Sequence, residues 1–296
     1  MQQLAIVSDL TSLTSEPADR QAIMSSLSDE STVSSRVQTF ADGTPDRERL
    51  DCIAVEAPLE VRIGGNSVTV LMRTPGQDEE LVRGFLFCEG IITRADDILS
   101  MERPVQLTEP ERGNVMAVEI ASSRAALKLD RSFYSSSSCG VCGKKTIESL
   151  EVRGPISNSS VKVKRAVLAR LPGLLKSAQP TFAVTGSVHA AGLFTASAEI
   201  VAVREDVGRH NALDKLIGWA VAAGKVPLAD HVLLVSGRVS YELVQKAIVA
   251  ELPVIAAVGA PSSLAIELAE RFNITLVGYL RAGAMNVYAN AFRLVG

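Results

Sequence analysis

The sequence predicts an α/β protein in two parts, a larger α/β domain over 146–296 and a smaller β-containing (α+β) domain over 46–134. The larger part alternates short apolar segments of strand length with helical segments, which is the pattern of a layered α/β sheet. The smaller part has several strand-like runs and one strongly helical segment, which favours an α+β arrangement. A third observation is that polar and Gly-rich clusters recur where strands are predicted to end, and this indicates a ligand site on the larger domain.

Residues 1–45 precede these domains and are rich in Ser, Thr, Asp and Glu, with apolar residues that follow no strong period. That composition predicts a disordered leader, so order is expected to begin near Asp51. The strands expected in the smaller domain are rich in β-branched or alternating apolar residues, and they cover 52–56, 59–63, 67–72, 115–120 and 126–130. Acidic residues open the helix predicted over 78–87, where they suit the positive end of the helix dipole.

The larger domain is expected to begin with a helix at 146–150 and a second helix over 163–171, which Pro172-Gly173 would end. Its strands are predicted at 191–195, 200–204, 232–235, 254–258 and 274–280. A helix is predicted where five apolar residues recur at helical spacing, and these are Leu213, Leu216, Ile217, Ala220 and Val221. A further helix is expected after Ser240. The last is expected to begin near Ser262-Ser263, and the hydroxyls of these two serines can cap the free amides of its first turn.

The composition excludes several classes of protein. The chain has 296 residues, of which 47% are hydrophobic and 21% charged, and its net charge of -3 lacks the basic excess of a general nucleic-acid coat. No apolar stretch reaches the roughly 20 residues that span a bilayer, and the first residues lack the features of a secretory signal. Of four cysteines, two are isolated at Cys52 and Cys88, which argues against a disulfide framework. We therefore expect a cytoplasmic protein with reduced thiols that binds neither nucleic acid nor membrane.

The most distinctive motif is the segment 135–145, SSSSCGVCGKK, which contains Cys139 and Cys142. Ser and Gly allow the backbone many conformations and bury little surface, so we expect a mobile exposed loop between the two domains. Lys144 and Lys145 place positive charge beside the thiols and thereby favour the thiolate, which is the nucleophilic form. A reactive sulfur on a mobile loop suits chemistry in which sulfur must reach two places.

Four polar clusters follow predicted strands of the larger domain, and they cover 205–211, 236–240, 259–263 and 279–283. In an open α/β sheet, ligands bind beyond the carboxyl ends of the strands, where helix amides point outward. Three of the clusters carry an arginine, and arginine can bind phosphate through two parallel hydrogen bonds. The expected ligand is therefore anionic, and a nucleotide-like pyrophosphate fits better than an isolated acid.

Each of these features also has a purely structural explanation. A single CxxC motif is compatible with structural zinc, redox chemistry or chance, although the remaining cysteines offer no second CxxC for a site of four ligands. Each arginine could simply pair with a carboxylate. His189 lies among small residues, which favours a functional role, whereas His210 could be hydrogen-bonded at a helix start. His231 precedes a strand and is interpreted as structural.

Three longer motifs stand out in the chain: SCGVCG at 138–143, REDVGRHNALDK at 204–215, and SGR at 236–238 followed by ELVQK at 242–246. In combination, these motifs closely resemble those of the FdhD family of formate dehydrogenase accessory sulfurtransferases. Shorter matches are PLEVR at 58–62, EGII at 89–92, APSS at 260–263 and NVY at 286–288. The resemblance extends from about residue 50 to the end and leaves out the leader.

The resemblance implies a cytidine-deaminase-like, three-layer α/β/α domain and a homodimer. It also implies that the chain accepts persulfide sulfur from a cysteine desulfurase. The chain would pass this sulfur to molybdenum (or tungsten) in the bis-guanine-dinucleotide cofactor of formate dehydrogenase, with no permanent metal of its own. Carried over by position, Cys139 is the persulfide carrier and Cys142 the assisting or resolving thiol.

The resemblance also places the family's cofactor-binding segment on Tyr279, Leu280, Arg281, Ala282, Gly283 and Ala284. This segment overlaps the last of the four strand-end clusters, so two independent arguments point to the same residues. The remaining candidate cofactor-binding residues come from the other clusters and their surroundings, and they are His189, Arg209, His210, Ser236, Gly237 and Arg238.

The deaminase reaction is disfavoured despite the implied fold, because zinc deaminases need His-x-Glu and Pro-Cys-x-x-Cys. In this chain His189 is followed by two alanines, and Ser138 rather than proline precedes Cys139. Two other functions stay open. One is a non-catalytic chaperone that binds the cofactor, and the other is a dithiol oxidoreductase that cycles a Cys139–Cys142 disulfide. The second is weakened because no tryptophan stands beside the cysteine pair.

Overall fold

The structure is a computed structural model, and it describes residues 30–40, 42–43, 47–109, 111–121 and 154–296. The elements described in the N-terminal part are β1 (Thr32–Thr39), β2 (Arg47–Ala54), β3 (Ala57–Ile63), β4 (Asn66–Arg73), α1 (Asp78–Cys88), β5 (Ile98–Glu102) and β6 (Val115–Ile120). The strands predicted at 59–63, 67–72 and 115–120 and the helix predicted at 78–87 are confirmed. The strand predicted at 126–130 lies outside the described residues.

Four of these strands form a sheet in the order β4-β3-β6-β5, and α1 packs on one of its faces. Leu59, Val61 and Ile63 are buried and alternate along β3 with residues that are more exposed. Their side chains belong to the same buried cluster as Leu81 and Leu86 of α1. Because successive side chains of a strand point to opposite faces, this alternation buries one face of the sheet under the helix.

A two-stranded ribbon precedes this sheet. β1 pairs antiparallel with β2 along its whole length, from Thr32 opposite Ala54 to Thr39 opposite Arg47. The expectations of a disordered leader through residue 45 and of order beginning near Asp51 are therefore wrong for residues 32–39. Most side chains of β1 are exposed, so the strand has no alternating apolar pattern by which it could be recognised.

The C-terminal part is built on a six-stranded sheet. Its strands are β8 (His189–Thr195), β9 (Ile200–Asp206), β10 (His231–Val235), β11 (Val254–Ala257), β12 (Thr275–Arg281) and β13 (Ala284–Ala289), in the order β13-β12-β11-β10-β8-β9. β8 is antiparallel to both of its neighbours, whereas β10, β11 and β12 are parallel to one another. The carboxyl ends of β9, β10, β11 and β12 therefore lie along one edge, together with the start of β8. All five strands predicted for this part are confirmed.

Helices cover both faces of this sheet. They are α2 (Arg165–Leu168), α3 (Leu171–Ser177), α4 (Pro180–Thr185), α5 (Arg209–Ala222), α6 (Tyr241–Val249) and α7 (Ser263–Arg271). Side chains alternate along β10, so that Leu233 packs in the cluster that contains α5, α6 and α7, whereas Leu234 packs in the cluster that contains α2 and α3. The helices predicted after Ser240 and near Ser262 are confirmed, and the Ser262 hydroxyl accepts a hydrogen bond from the amide of Ala265, as a cap requires.

The helix predicted over 163–171 is confirmed only for its middle residues. Val163–Lys164 is a short strand, β7, that pairs in parallel with β14 (Leu294–Val295), and α2 then covers only Arg165–Leu168. Pro172 does not end a helix but lies in the first turn of α3, where its missing N–H costs no intrahelical hydrogen bond. The helix predicted at 146–150 lies outside the described residues.

The N-terminal and C-terminal parts meet where α1 crosses α5. A Cβ atom added to Gly84 of α1 would lie 1.8 Å from the carbonyl oxygen of Asp214, and one added to Gly218 of α5 would lie 1.8 Å from that of Glu80. The two helix backbones are therefore in direct contact, which only glycine permits. One buried cluster also takes side chains from α1 and α5, so the hydrophobic core is continuous between the parts assigned to 46–134 and 146–296.

Candidate functional site

The strand-end clusters predicted from the sequence meet along one edge of the six-stranded sheet. His189, at the start of β8, lies opposite Asp206, at the end of β9. Beyond β10, the carbonyl of Gly237 accepts a hydrogen bond from the amide of Gly259, at 3.1 Å. The carbonyl of Gly259 in turn accepts one from the amide of Tyr279, at 3.0 Å. Backbone hydrogen bonds thus hold the segments after β10 and β11 beside each other and beside the last residues of β12.

Two of the predicted site residues, His189 and Arg209, lie next to the backbone of Gly237. A Cβ atom at this position would lie 3.2 Å from Nδ1 of His189 and 3.9 Å from Cδ of Arg209, so the imidazole and the arginine chain approach the same glycine backbone. Burial lowers the pKa of His189, and the positive charge of Arg209 lowers it further. The imidazole is therefore neutral at neutral pH. Nε of Arg209 is buried and has no hydrogen-bond partner within the described part of the chain, so this donor is available to a ligand.

His210, the next residue of α5, is positioned by the start of α6. Its Nε2 lies 3.0 Å from the Ser240 hydroxyl and 3.6 Å from a carboxylate oxygen of Glu242. The hydrogen bond with His210 lowers the pKa of Glu242 to about 2, so this carboxylate is charged at neutral pH. The Ser240 hydroxyl makes no cap hydrogen bond to α6 and contacts His210 instead. Sequence analysis did not assign Glu242, because this contact joins residues that are 32 positions apart.

The other polar residues of the 205–211 cluster hold the fold together. Asp206 is fully buried, and its carboxylate lies 2.8 Å from Nζ of Lys215. The same carboxylate accepts a hydrogen bond from the side-chain amide of Asn211. Lys215 also donates to the carbonyl of Thr74, at 2.8 Å, and thereby ties α5 to the loop after β4. Asp206 and Asn211 belong to a cluster that was expected to face a ligand, but their contacts lie at the junction between the two sheets.

Two hollows open at this edge of the sheet. The first, called here the histidine hollow, has a volume of about 530 Å³. It is lined by Pro172, Leu175, Lys176, Gln179, Phe182, Gly186, Ser187, Val188, His189, Ser236 and Val258. The lining is mostly apolar, and two of the predicted residues, His189 and Ser236, contribute polar groups to it. Such a combination suits a flat, partly polar ring.

The second, called here the arginine hollow, has a volume of about 780 Å³. It is lined by Arg165, Ala166, Ala169, Tyr279, Arg281, Gly283, Ala284, Met285, Asn286 and Val287. Four residues of the predicted 279–284 segment therefore contribute to one concave surface. Gly283 has a φ of +82° in the turn between β12 and β13, a conformation that favours glycine.

Six candidate residues of the sheet edge line neither hollow, and they are Arg209, His210, Gly237, Arg238, Leu280 and Ala282. Leu280 is fully buried and packs in the cluster beneath α2 and α3, so its side chain serves the core. Ala282 and Arg238 are exposed, and neither contributes to the two hollows.

Cys139 and Cys142, the predicted catalytic residues, lie outside the described residues. The two cysteines that the structure describes, Cys52 and Cys88, are both buried. Burial raises the pKa of Cys88, which keeps its thiol protonated at neutral pH. Neither is therefore placed for nucleophilic chemistry at the surface.

Within 30–121 and 154–296, apart from the gaps given above, no group of three or more His, Cys, Asp or Glu side chains is arranged to hold a metal ion. No helix in this part of the chain has both the length and the apolar character needed to cross a membrane.

Comparison with known proteins identifies close relatives. The chain is 47% identical to the sulfur carrier protein FdhD of Nocardia farcinica over 83% of its own length and 89% of the relative's. It is likewise 47% identical to the protein of that name from Mycobacterium tuberculosis, over 83% of this chain and 92% of the other. An archaeal relative with the same name, from Sulfurisphaera tokodaii, is 41% identical over 83% of this chain and 92% of the other.

A solved structure has a similar fold. It is the crystal structure of a formate dehydrogenase accessory protein from Desulfotalea psychrophila, and it matches with a TM-score of 0.69 over 89% of this chain and 99% of that one. At 24% identity, this likeness supports the mixed α/β fold alone. The FdhD/NarQ family pattern matches residues 54–295, which span both sheets and the edge where the predicted residues meet. With these relatives and this coverage, the chain belongs to the FdhD/NarQ family.

Proposed function

We propose that this chain is a sulfur carrier that serves formate dehydrogenase. In this proposal it accepts persulfide sulfur from a cysteine desulfurase and transfers it to the molybdenum or tungsten of a bis-guanine-dinucleotide cofactor. The names of the relatives support the sulfur-carrier role. The single observation that best supports the cofactor as acceptor is the convergence of His189, Arg209 and Arg281 at one edge of the sheet.

The chemistry of this edge suits a large anionic ligand that also carries rings. Arg209 and Arg281 supply positive charge, and guanidinium groups bind phosphate oxygens in pairs. The histidine hollow offers apolar walls together with a neutral imidazole, which suits a heteroaromatic ring. A guanine dinucleotide combines both kinds of group, whereas a simple anion would leave the apolar hollow unused.

The sulfur step is assigned to Cys139 and Cys142. The thiolate of Cys139 attacks the terminal sulfur of the desulfurase persulfide, so a new S–S bond forms on Cys139 while the donor's S–S bond breaks and its thiolate leaves. The thiolate of Cys142 then attacks Sγ of Cys139, which forms a disulfide and releases hydrosulfide to the metal. A cellular dithiol reduces this disulfide and restores both thiols.

The carrier role predicts that Cys139→Ala fails to restore formate dehydrogenase activity in a strain that lacks the native chain. After incubation with desulfurase and cysteine, mass spectrometry should find one added sulfur atom on Cys139 of the wild type and none on the variant. Cys142→Ala should still gain sulfur on Cys139, because the first attack needs only one thiolate. Cys52→Ala is the matched control, since Cys52 is a buried thiol that should not take up sulfur.

The alternatives give different results in the same experiment. Full activity of Cys139→Ala would contradict the carrier role and favour a chaperone that binds the cofactor without chemistry. A stable Cys139–Cys142 disulfide with reductant-dependent turnover, and no added sulfur, would instead favour a dithiol oxidoreductase.

A further inference from the structure

The arginine hollow is formed by two elements, of which sequence analysis anticipated only one. The hairpin of β12 and β13 contributes Tyr279, Arg281 and the residues of 283–287. The other contribution comes from α2 and the residue after it, where Arg165, Ala166 and Ala169 line the same hollow. Arg165 belongs to none of the motifs that carry the family resemblance.

The position of Arg165 follows directly from local structure. Lys164, the residue before it, pairs in β7 with Val295 of β14, so the start of α2 is held by the C-terminal strand. Nη2 of Arg165 lies 3.8 Å from the position that a Cβ atom would take on Gly296. The residue is exposed, and the backbone that carries it is fixed by strand pairing.

The hollow carries unbalanced positive charge. Its lining includes two arginines, Arg165 and Arg281, and no aspartate or glutamate. Within the described part of the chain neither arginine makes an ion pair, in contrast to Arg73, which lies 2.9 Å from Asp78, and Arg204, which is paired with Glu80. Two guanidinium groups facing one hollow without a carboxylate attract an anion with several oxygen atoms, such as a diphosphate.

The remaining lining adds groups that recognise a nucleoside. The Tyr279 side chain is 45% exposed, so part of its ring is accessible for stacking. Asn286 contributes an amide that can both donate and accept hydrogen bonds, as a base edge requires. The volume of about 780 Å³ lies within the range of small-molecule sites.

We propose that Arg165 is a second phosphate-binding arginine, which together with Arg281 holds the diphosphate of one nucleotide arm of the cofactor. This assignment rests on the proposed function for the identity of the nucleotide. The two arginines, the exposed part of the Tyr279 ring and the Asn286 amide all line one hollow. A single nucleoside diphosphate could therefore contact the arginines with its phosphates and the other two side chains with its base.

Calorimetric titration of the full-length chain with GDP and with inorganic pyrophosphate tests the assignment. Arg165→Gln and Arg281→Gln should each weaken both probes by about tenfold or more, since each removes a charge-assisted contact. Arg165→Lys should fall between the wild type and Arg165→Gln, because it keeps the charge but loses the paired donors. Arg170→Gln is the matched control, since Arg170 is exposed five positions further on, lies outside the hollow, and should change affinity less than twofold.

The proposal is overturned if Arg165→Gln binds GDP as tightly as the wild type, or if the wild type binds neither GDP nor pyrophosphate. Sulfur loading of Cys139 by the desulfurase, measured on the wild type, serves as the independent measurement. Absence of loading in the wild type would refute the proposed function while leaving the nucleotide result valid.

Discussion

Asp206 and Lys215 belong to the family motif at 204–215, and their buried ion pair is expected to stabilise the fold. Asp206→Asn removes the carboxylate that pairs with the ammonium of Lys215 but leaves the shape of the side chain almost unchanged. Both side chains are fully buried, so the charge of Lys215 would remain in the interior without its counterion. We expect the free energy of unfolding to fall by about 3–5 kcal/mol, measured by urea denaturation.

Asp230→Asn is the control for this substitution, because Asp230 is an exposed aspartate and its side chain makes no ion pair with the described residues. It should change the free energy of unfolding by less than about 0.5 kcal/mol. A loss of similar size in both variants would show that the buried pair contributes no more than a surface charge does.

At the residue scale, the candidate site could be predicted only in part from the sequence. Arg209 was identified because it follows a predicted strand, and strand direction brings such ends to one edge. His189 was identified because small residues surround it in the sequence. The role of Glu242 could not be derived, because its partner His210 is 32 positions away. The role of Asp206 could not be derived either, because its carboxylate also accepts a hydrogen bond from the amide of Thr74, 132 positions away. Arg165 was missed because nothing in its neighbours indicates β7 or its pairing with the C-terminal strand.

At the scale of elements, the crossing of α1 and α5 depends on two glycines. Gly218→Ala places a Cβ atom 1.8 Å from the carbonyl oxygen of Glu80, so the helices must separate. Because this contact is between backbones, no side-chain rotation can relieve it. We expect a loss of about 3 kcal/mol or more in the free energy of unfolding, measured by thermal or urea denaturation.

Gly173→Ala provides the comparison, since Gly173 is also helical but has no atom within 4 Å of the position that a Cβ would take. Alanine favours helix over glycine by up to about 1 kcal/mol, so this variant should be as stable as the wild type or slightly more so. If Gly218→Ala behaved in the same way, the close packing of the two helices would be disproved.

Some strands and helices could be predicted from the sequence and others could not, because only some of them carry a recognisable hydrophobic pattern. The strands β8, β10, β11 and β12 were predictable because both of their faces are largely buried, which requires continuous apolar runs. β13 was not predicted, and most of its side chains are exposed or half-buried. β1 was not predictable, because its stability comes from pairing with β2 rather than from burial of its own side chains. Pro172 was misjudged for a related reason: proline stops a helix that precedes it and equally well begins one that follows.

At the scale of the whole molecule, the two parts share one hydrophobic core and several buried polar ties. Leu86 of α1 and Leu216 of α5 belong to the same buried cluster, and Arg204 of β9 forms an ion pair with Glu80 of α1. Separation of the parts would expose the core and leave these charges without partners, which is unfavourable on both counts. The sheet edge that carries the candidate site therefore depends on the N-terminal part, although few of its own side chains come from there.

This continuity predicts that both parts unfold in a single transition. Trp219, the only tryptophan of the chain, packs against the shared core and lies 5.8 Å from the guanidinium carbon of Arg204, so its fluorescence reports on the junction. Far-UV circular dichroism reports on all the helices and strands. In urea the two signals should change with the same midpoint, and Gly218→Ala should lower both midpoints together. A dichroism transition with two steps, or one that precedes the change in fluorescence, would show instead that the N-terminal part unfolds independently.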